Sequence, residues 1–538
     1  MSLTGAVNGT NGVIVKIDGS ESTIVGQMEF TTTFTGQPID VSNKSNGDWV
    51  CLMDGELSGK GETASGSILY NSDSIYRAVR DDTAVGTIGQ YKIDFGDGVN
   101  NLYFSAIPNA LSDSIPMGDK VASSITFTST GAIFGPSNPS VSLDFINERY
   151  YTVSLDGLVN EGSLEDILSK LERNSIASYY NSAGLLVTAA ANELRINYNP
   201  STLEKEGAFI EESSTNLVFY SEDLSDSSWS KEGTTTVSSN VGTAPDGTTT
   251  ADEIVDDAGE QGVSQAVTIV DTDNVSLSVY IQRAETTSSV RFRDTGLSKQ
   301  DIIYDPTTNT ITSESSDFVY SLVEDINNDW VRVCFTYTPT SGATSSNVTV
   351  RATDPGTVRC WGIQAEQYEA ATSYIKTESA QETRLTDVFD LADDGWLNQD
   401  NGAVMVDAKF KLSPDRNNNY ASLNDNTDDE IMAVRVDISS NLESVFIGSG
   451  ESTVLGLETS ISTADRKVCF AYNNETLEFR SVVDSGTVNS TTRTNVVTTS
   501  VLSIGSKELG NDGANSTIKS ISYYPINMND EELQAITS

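Results

Sequence analysis

The side chains that could act as acids, bases or nucleophiles are unevenly represented in this chain. Histidine is absent, whereas aspartate and glutamate together number 77. The absence of histidine removes Ser-His-Asp and Cys-His catalysis, the His-Glu-x-x-His zinc motif and every imidazole-ligated metal site. Hydrolysis of glycosidic bonds by two carboxylates survives, but among so many acidic residues a suitably spaced pair occurs by chance. The sequence favours a protein that is not an enzyme, with a carboxylate-dependent glycoside hydrolase as one alternative.

The cysteines, the acidic loops and the glycines indicate no cofactor. The cysteines are Cys51, Cys334, Cys360 and Cys469. They are widely spaced without a Cys-x-x-Cys pair, so we expect reduced thiols rather than a zinc cluster or a disulfide framework. Residues 425–430 begin like a calcium loop but lack the glycine and glutamate of an EF-hand. We expect a solvated loop there, and a structural Ca²⁺ in either C-terminal domain stays an open alternative. No phosphate-binding glycine motif is present.

Tryptophan is the side chain to search for a sugar site, because an aromatic ring commonly packs against the apolar face of a pyranose. Outside the first domain the tryptophans are Trp229, Trp330, Trp361 and Trp396. Trp330 begins an alternating strand and Trp361 shares a strand face with Ile363, so we predict that both are core residues. Trp229 lies in the polar stretch Ser-Asp-Ser-Ser-Trp-Ser-Lys. It is therefore the candidate glycan-contact residue.

Composition and charge restrict the partners and the fold. The formal net charge of −45 opposes a grip on nucleic acid or on an anionic membrane, and it would make a pore built from this protein repel a phosphate backbone. No segment approaches the roughly 20 apolar residues of a membrane span, and no Sec-type signal is recognisable. We expect a soluble protein made in the cytoplasm. Only 37% of residues are apolar and Ser, Thr, Asn, Asp and Gly abound, which favours short strands in three or four all-β domains.

The first domain, residues 1–137, is predicted as a small strand-rich unit with one helix. Alternating apolar and polar residues predict strands at 13–17, 28–34, 91–95, 102–107 and 121–128. Residues 71–80 offer capping side chains followed by Ile75 and Val79 at helical spacing. The pattern therefore predicts a strand-rich domain with one short packed helix.

Two segments of this domain resemble a known family. Ile39-Asp-Val-Ser-Asn-Lys-Ser-Asn-Gly-Asp-Trp49, with the Gly-Glu-Leu-Ser-Gly-Lys-Gly run at 55–61, resembles the major tail proteins of long-tailed (siphovirus) bacteriophages. The closing run Ser124-Ile-Thr-Phe-Thr-Ser-Thr-Gly-Ala-Ile133 is similar to the end of that family's domain. The resemblance implies a β-sandwich or barrel that joins into stacked hexameric rings. DNA would pass through their lumen without specific binding.

Residues 138–212 are predicted to form a connector with one helix. Residues 163–173 place Leu164, Ile167, Leu168 and Leu171 on one helical face, with Ser163 and Asp166 at capping spacing. The stretch at 177–217, which includes Arg195-Ile-Asn-Tyr-Asn-Pro200, resembles a junction module that precedes sugar-binding jelly rolls in phage virion proteins.

Two further β-sandwiches complete the predicted chain. Residues 213–383 contain at least eight short strand patterns, and the Trp-Gly-Ile-Gln-Ala-Glu-Gln run at 361–367 resembles carbohydrate-binding modules of phage fibres. Residues 384–538 again show alternating apolar and polar residues, which predicts a second set of strands. Their close, a Tyr-Pro strand end and a turn capped by Asn529 with Glu532, resembles concanavalin or laminin-G-like domains.

The combined hypothesis is an all-β virion protein, a tail-tube subunit with two outward sandwiches. Its partners would be further copies of itself, other tail proteins and host surface glycans, with no membrane insertion. The alternative from the same virion context is an adhesin or fibre-like protein, in which the first domain only anchors the chain and the sandwiches bind host glycans.

The hypothesis predicts that residues 1–137 suffice for self-assembly, because the family resemblance confines the ring-forming part to them. Deleting 138–538 should leave a fragment that forms rings or tubes in negative-stain images. A folded fragment that stays monomeric at a concentration where the full chain assembles would contradict this.

Overall fold

The computed structural model describes residues 13–18, 20–24, 27–40, 52–94, 101–116, 120–136, 138–155, 159–270, 273–294, 300–314, 318–327, 329–339, 342–411, 416–427, 429–448, 450–461, 463–506 and 512–538. Over these residues the fold is nearly all β, with antiparallel sheets and three short α-helices. The all-β class predicted from composition and alternation is thereby confirmed.

The first unit is one antiparallel sheet with a helix on one face. Its strands are β1 (Val13–Asp18), β2 (Ser20–Thr23), β3 (Gln27–Asp40), β4 (Leu52–Leu69), β5 (Gly89–Asp94), β6 (Leu102–Ser114) and β7 (Ala122–Phe134). The seven strands lie in the order β2-β1-β5-β6-β7-β4-β3. Each predicted strand overlaps an observed one, but the described strands form a single sheet. Residues 41–51, which hold most of the run ending at Trp49, lie outside the described residues.

The helix predicted for residues 71–80 is present as α1 (Ser74–Val85). The Asp73 carboxylate caps it by accepting the backbone N–H groups of Ile75 (2.9 Å) and Tyr76 (3.2 Å). Val79 and Tyr76 are buried against the sheet. The helix continues beyond the prediction until Gly86, whose φ of 77° is the left-handed conformation that ends helices and favours glycine.

The last sandwich consists of two sheets that share one hydrophobic core. The strands of its larger sheet are β8 (Val141–Asp144), β9 (Arg149–Val153), β10 (Val159–Gly162), β14 (Ile196–Tyr198), β15 (Lys205–Ile210), β31 (Asn401–Phe410), β36 (Ala464–Asn473), β37 (Glu478–Val483), β38 (Asn489–Thr492) and β40 (Ser516–Tyr524). The strands of its second sheet are β11 (Lys170–Glu172), β30 (Val388–Ala392), β32 (Asn418–Asn424), β33 (Glu430–Val436), β34 (Leu442–Gly448), β35 (Glu451–Glu458) and β39 (Val501–Ile504). Helix α3 (Asp530–Ile536) ends the chain.

The predicted connector, residues 138–212, is not a separate segment. Strands β8 and β15 both pair with β40, and β11 pairs with β30, so this region supplies strands to both sheets of the last sandwich. The sandwich predicted for residues 384–538 would lack these strands on its own. The division at residue 384 was therefore wrong, because strand pairing over long sequence separation leaves no signal in local alternation.

The helix predicted for residues 163–173 is much shorter, α2 (Leu164–Ile167). Its predicted cap is present, since the Asp166 carboxylate accepts from the Ser163 N–H (3.1 Å) and hydroxyl (2.7 Å). Leu168 is already extended, and Leu171 lies in β11 opposite Phe389. Strand pairing with β30 thus overrides the local helical pattern, while the predicted apolar residues still face the core.

The jelly roll is an insertion within the last sandwich. One sheet contains β17 (Ser230–Lys231), β20 (Gly262–Thr268), β22 (Val290–Asp294), β23 (Gln300–Asp305), β24 (Thr310–Glu314) and β27 (Ser345–Ala352). The other contains β18 (Thr236–Gly242), β19 (Ala251–Asp256), β21 (Val275–Gln282), β25 (Phe318–Asp325), β26 (Trp330–Tyr337) and β28 (Gly356–Glu366). The chain enters through β16 (Ser214–Asn216) and leaves through β29 (Glu382–Arg384), which pair with each other. A hairpin, β12 (Ala177–Tyr180) and β13 (Leu186–Ala189), precedes the insertion.

Gly207 should be among the least replaceable residues of this architecture. Its φ is 103°, and a Cβ there would lie 2.2 Å from the Ile518 carbonyl oxygen, where β15 joins β40. We expect Gly207→Ala to lower the free energy of unfolding by roughly 2 kcal/mol or more, from overpacking and backbone strain. Urea unfolding measures this. Gly456→Ala is the control, since nothing lies within 4 Å of its added Cβ, and a comparable loss there would contradict the explanation.

Candidate functional site

Trp229, the candidate glycan-contact residue, is buried in the jelly-roll core. Its exposed fraction is 1%, and its Nε1 donates to the Tyr220 carbonyl oxygen over 3.1 Å. A ring packed between two sheets has no free face for a sugar. The prediction of glycan contact at Trp229 is therefore wrong, because polar neighbours in sequence did not reveal that the indole turns inward.

The tryptophans predicted to be core residues, Trp330 and Trp361, are buried, but not between the two sheets. They lie with Tyr280 in a separate apolar cluster that includes Leu186 of the β12–β13 hairpin. The Trp330 Nε1 donates to Thr243 O (3.1 Å), and the Trp361 Nε1 donates to Thr250 Oγ1 (3.0 Å). An aromatic surface of the jelly roll is thus covered by the hairpin that precedes it.

A cluster of five buried charged residues lies where the jelly roll joins the last sandwich. The junction cluster consists of Arg173, Arg195, Glu211, Arg384 and Asp387. Arg173 follows β11, Arg195 precedes β14 and Glu211 follows β15. Arg384 ends β29, and Asp387 precedes β30. The ends of five short strands therefore converge on one point, and both connections to the jelly roll pass through it. No side chain in the cluster is more than 2% exposed.

Asp387 is the centre of the pairing in the junction cluster. Its Oδ1 accepts from Arg173 Nη1 (2.9 Å), and its Oδ2 accepts from Arg195 Nη2 (2.6 Å) and from the Glu211 backbone N–H (2.9 Å). Arg173 also donates to the carbonyl oxygens of Ala190 (2.7 Å) and Glu193 (2.9 Å). The charges of Arg173, Arg195 and Asp387 are therefore both paired and hydrogen-bonded, which is the condition under which burial of charge is tolerated.

Glu211 provides the second anion of the junction cluster. Its Oε2 accepts from Arg195 Nη1 (2.7 Å) and its Oε1 from the Ser373 N–H (2.8 Å). Burial by itself would raise the pKa of Glu211, but Arg384 and Arg195 lower it to about 2. Because the folded-state pKa lies below the ordinary value of about 4.3, the stabilisation by Glu211 is present above that pH and is lost as the pH falls toward 2.

A second interface attaches the first unit to helix α3. The Glu532 carboxylate completes the predicted capping box with the Asn529 N–H (2.8 Å), and it also accepts from Asn101 Nδ2 (2.7 Å) and the Tyr103 hydroxyl (3.0 Å). Burial raises the pKa of Glu532. Tyr103 and Phe134 pack against apolar residues of the last sandwich. The sheet face opposite α1 thus contacts another part of the same chain at Tyr103 and Phe134.

Where they are described, the cysteines and the acidic loop at 425–430, the other chemical groups considered in the sequence, lie in ordinary structural environments. Cys334, Cys360 and Cys469 are buried and unpaired, and burial raises the pKa of each thiol, whereas Cys51 lies outside the described residues. Asp425 accepts from the N–H of Thr427 (2.9 Å) as in an ordinary turn. Among the described residues no group of three or more acidic or cysteine side chains is placed to hold a metal ion. No helix in the described ranges is long and apolar enough to cross a membrane.

Sequence reasoning missed the junction cluster, although part of its signal was visible. Arg195 and Glu211 lie inside the stretch recognised as a junction module, as charged residues among apolar and aromatic neighbours. Arg173, Arg384 and Asp387 carried no such signal, because Arg173 lies in the predicted connector whereas Arg384 and Asp387 lie in the predicted last sandwich. Only the fold brings residues more than 200 positions apart in sequence within hydrogen-bonding distance.

Comparisons with known proteins give partial likenesses. No protein-family model matches the chain, and no curated protein does so either. A chain of the virion of a native gene transfer agent particle is 20% identical, with 24% of this chain and 97% of that chain covered and a TM-score of 0.22. The Ruminococcus gnavus IT-sialidase CBM40 is 12% identical, with 28% and 92% covered and a TM-score of 0.25. The SPP1 tail tube is 13% identical, with 24% and 80% covered and a TM-score of 0.19. Likenesses this weak do not establish a function.

Removing the central anion of the junction cluster should unfold the junction. Asp387→Asn leaves Arg173 and Arg195 without their shared carboxylate, and we expect a loss of roughly 3–5 kcal/mol in the free energy of unfolding. The control is Asp465→Asn, whose 2.9 Å ion pair with Lys519 is 54% exposed on the aspartate side and should cost less than about 1 kcal/mol. Equal effects in urea unfolding would show that the junction cluster has no special structural role.

Proposed function

We propose that the chain is a structural subunit of the tail tube of a long-tailed bacteriophage. In this proposal the first unit assembles into stacked hexameric rings, and the jelly roll and the last sandwich project outward. The chain has no catalytic role, and DNA passes through the lumen without being bound. The family resemblance of the first unit motivates the proposal, and the geometry of its sheet supports it.

The observation that carries the proposal is the pair of edges of the first sheet that no further described strand covers. Strands β2 and β3 end the strand order, and among the described strands β3 pairs only with β4 along its 14 residues. An uncovered edge of this length presents a row of backbone N–H and C=O groups that favours pairing with a further strand. A second copy of the chain is a natural source of that strand.

Both faces of the same sheet make contacts within the chain at their described residues. Phe104 points into the cluster beneath α1, whereas its neighbour Tyr103 points into the interface with the last sandwich. Successive side chains on a strand point to opposite faces, so the helix and the sandwich lie on opposite sides of the sheet. Pairing of further copies at the edges would leave both of these contacts in place, which is compatible with assembly into a ring.

The net charge of −45 supports a role in which DNA slides rather than binds. A wall of mainly acidic subunits repels the phosphate backbone, and repulsion prevents a passing duplex from stalling. The same charge opposes close packing of the copies, and this repulsion is screened by salt. Assembly should accordingly be favoured at higher ionic strength.

For the outward sandwiches we propose decoration of the tail with weak glycan binding, the role implied by the resemblance of the jelly roll. Trp229 is buried, and the aromatic group of Trp330 and Trp361 is covered by the β12–β13 hairpin. Any sugar contact would therefore use shallow polar surface and would be weak in a single subunit. Display in many copies along a tube would raise the avidity by roughly 10²–10⁴.

The proposal predicts that the purified full chain forms stacked rings with lateral projections, more readily at about 0.5 M than at about 0.05 M NaCl because salt screens the acidic surfaces. Electron microscopy measures this. Discrete particles without rings under all conditions would contradict the tube and favour the adhesin alternative. Release of reducing sugar from host polysaccharide would instead favour the hydrolase.

Two neighbouring variants in β3 provide a matched control for the edge. Thr32 and Thr33 pair with β4 in regular register, and in an antiparallel strand adjacent residues direct their N–H groups to opposite sides. Proline removes the N–H donor. Of Thr32→Pro and Thr33→Pro, we expect one to lose stability through its bond to β4 and the other to fold normally yet fail to form rings. If Thr32→Pro and Thr33→Pro both fold fully and both form rings normally, edge pairing is contradicted.

A further inference from the structure

Arg384 is the one member of the junction cluster whose charge the described residues leave largely unsatisfied. Its side chain is 1% exposed, and its nearest anionic contact is an ion pair of 3.5 Å from Nε to Glu211 Oε2. None of its three guanidinium nitrogens has a hydrogen-bond acceptor among the described residues. A buried guanidinium in that condition is costly, since it has lost water without gaining acceptors.

The charges of the junction cluster do not balance. Three arginines face two carboxylates, so the cluster carries one excess positive charge. The carboxylate oxygens are already engaged by Arg173, by Arg195 and by backbone N–H groups. Glu211 is ionised, because the arginines lower its pKa to about 2. The excess charge therefore belongs to Arg384.

A surface groove lies against the junction cluster. It has a volume of about 210 Å³ and is lined by Glu172, Arg173, Asn174, Ser213, Leu385, Thr386 and Val388. Arg173 is itself a member of the cluster, and Leu385 directly follows Arg384. The groove therefore borders the cluster at Arg173, and its lining includes the residue that follows Arg384. Water at the cluster would satisfy donors but would leave the excess charge uncompensated.

We propose that the junction cluster is a binding site for a small monovalent inorganic anion of the size of chloride, held by the guanidinium of Arg384. The anion accepts the N–H groups that the described residues leave unpaired and neutralises the excess charge. Because Arg384 ends β29 and Glu211 follows β15, the bound anion ties the outgoing segment of the jelly roll to the incoming one. The proposal does not depend on the tail-tube function.

Chloride binding should stabilise the folded chain. The full chain is titrated with sodium chloride while sodium gluconate, an anion too large for the site, keeps the ionic strength constant. At a chloride concentration ten times the dissociation constant we expect the unfolding midpoint to rise by roughly 3–5 °C. Equal midpoints in chloride and in gluconate would overturn the proposal.

Two variants separate the site from general salt effects. Arg384→Met retains the side-chain length without the charge, and it should abolish the chloride-dependent rise. Arg416→Met is the control, because Arg416 pairs with Glu212 and is 41% exposed; it should retain the rise. A chloride response of unchanged size in Arg384→Met would overturn the proposal.

Bromide gives a readout that does not require a folded variant. Crystals of the full chain grown in sodium bromide should show an anomalous peak in contact with the Arg384 guanidinium nitrogens, because charged N–H groups are strong donors to an anion. Density for water alone at this position, with bromide only at surface sites, would overturn the proposal.

Discussion

The pairing of buried charges at the junction cluster is the constraint on which the arrangement of the two sandwiches depends. Asp387 holds Arg173 and Arg195, and Glu211 holds Arg195 and approaches Arg384. Separating the segments that carry these residues would leave charges buried without partners, which costs far more than the loss of an exposed ion pair. The jelly roll of about 170 residues is inserted into another domain. The junction cluster and the β16–β29 pairing together fix the point at which it is attached.

The junction also decides what the jelly roll can present to solvent. The β12–β13 hairpin covers the side of the sheet that carries Trp330, Trp361 and Tyr280, and the Tyr180 hydroxyl lies 3.0 Å from that of Tyr280. Exposed aromatic rings of this kind could bind a sugar. In this chain they pack against the hairpin instead. The same burial that strengthens the contact between junction and jelly roll thus removes the most sugar-compatible surface.

The first unit is constrained in a similar way by its contact with the last sandwich. The Glu532 carboxylate accepts the Asn529 N–H in the capping box of α3 and at the same time accepts from Asn101 and Tyr103. A fragment ending at residue 137 would expose Tyr103 and Phe134, and an exposed apolar patch can cause association that is unrelated to ring formation.

The sequence by itself determined the all-β class, helix α1 with its Asp73 cap, and the capping boxes of α2 and α3. These features depend on residues within a few positions of one another, where alternation and capping chemistry act directly. Only the tertiary structure decided that Trp229 faces inward, that residues 163–173 form one helical turn followed by a strand, and that residues 138–212 belong to the last sandwich. The junction cluster was decided in the same way, because the pairing of Arg173 with Asp387 depends on which distant strands meet. Local residue patterns carry no information about that pairing.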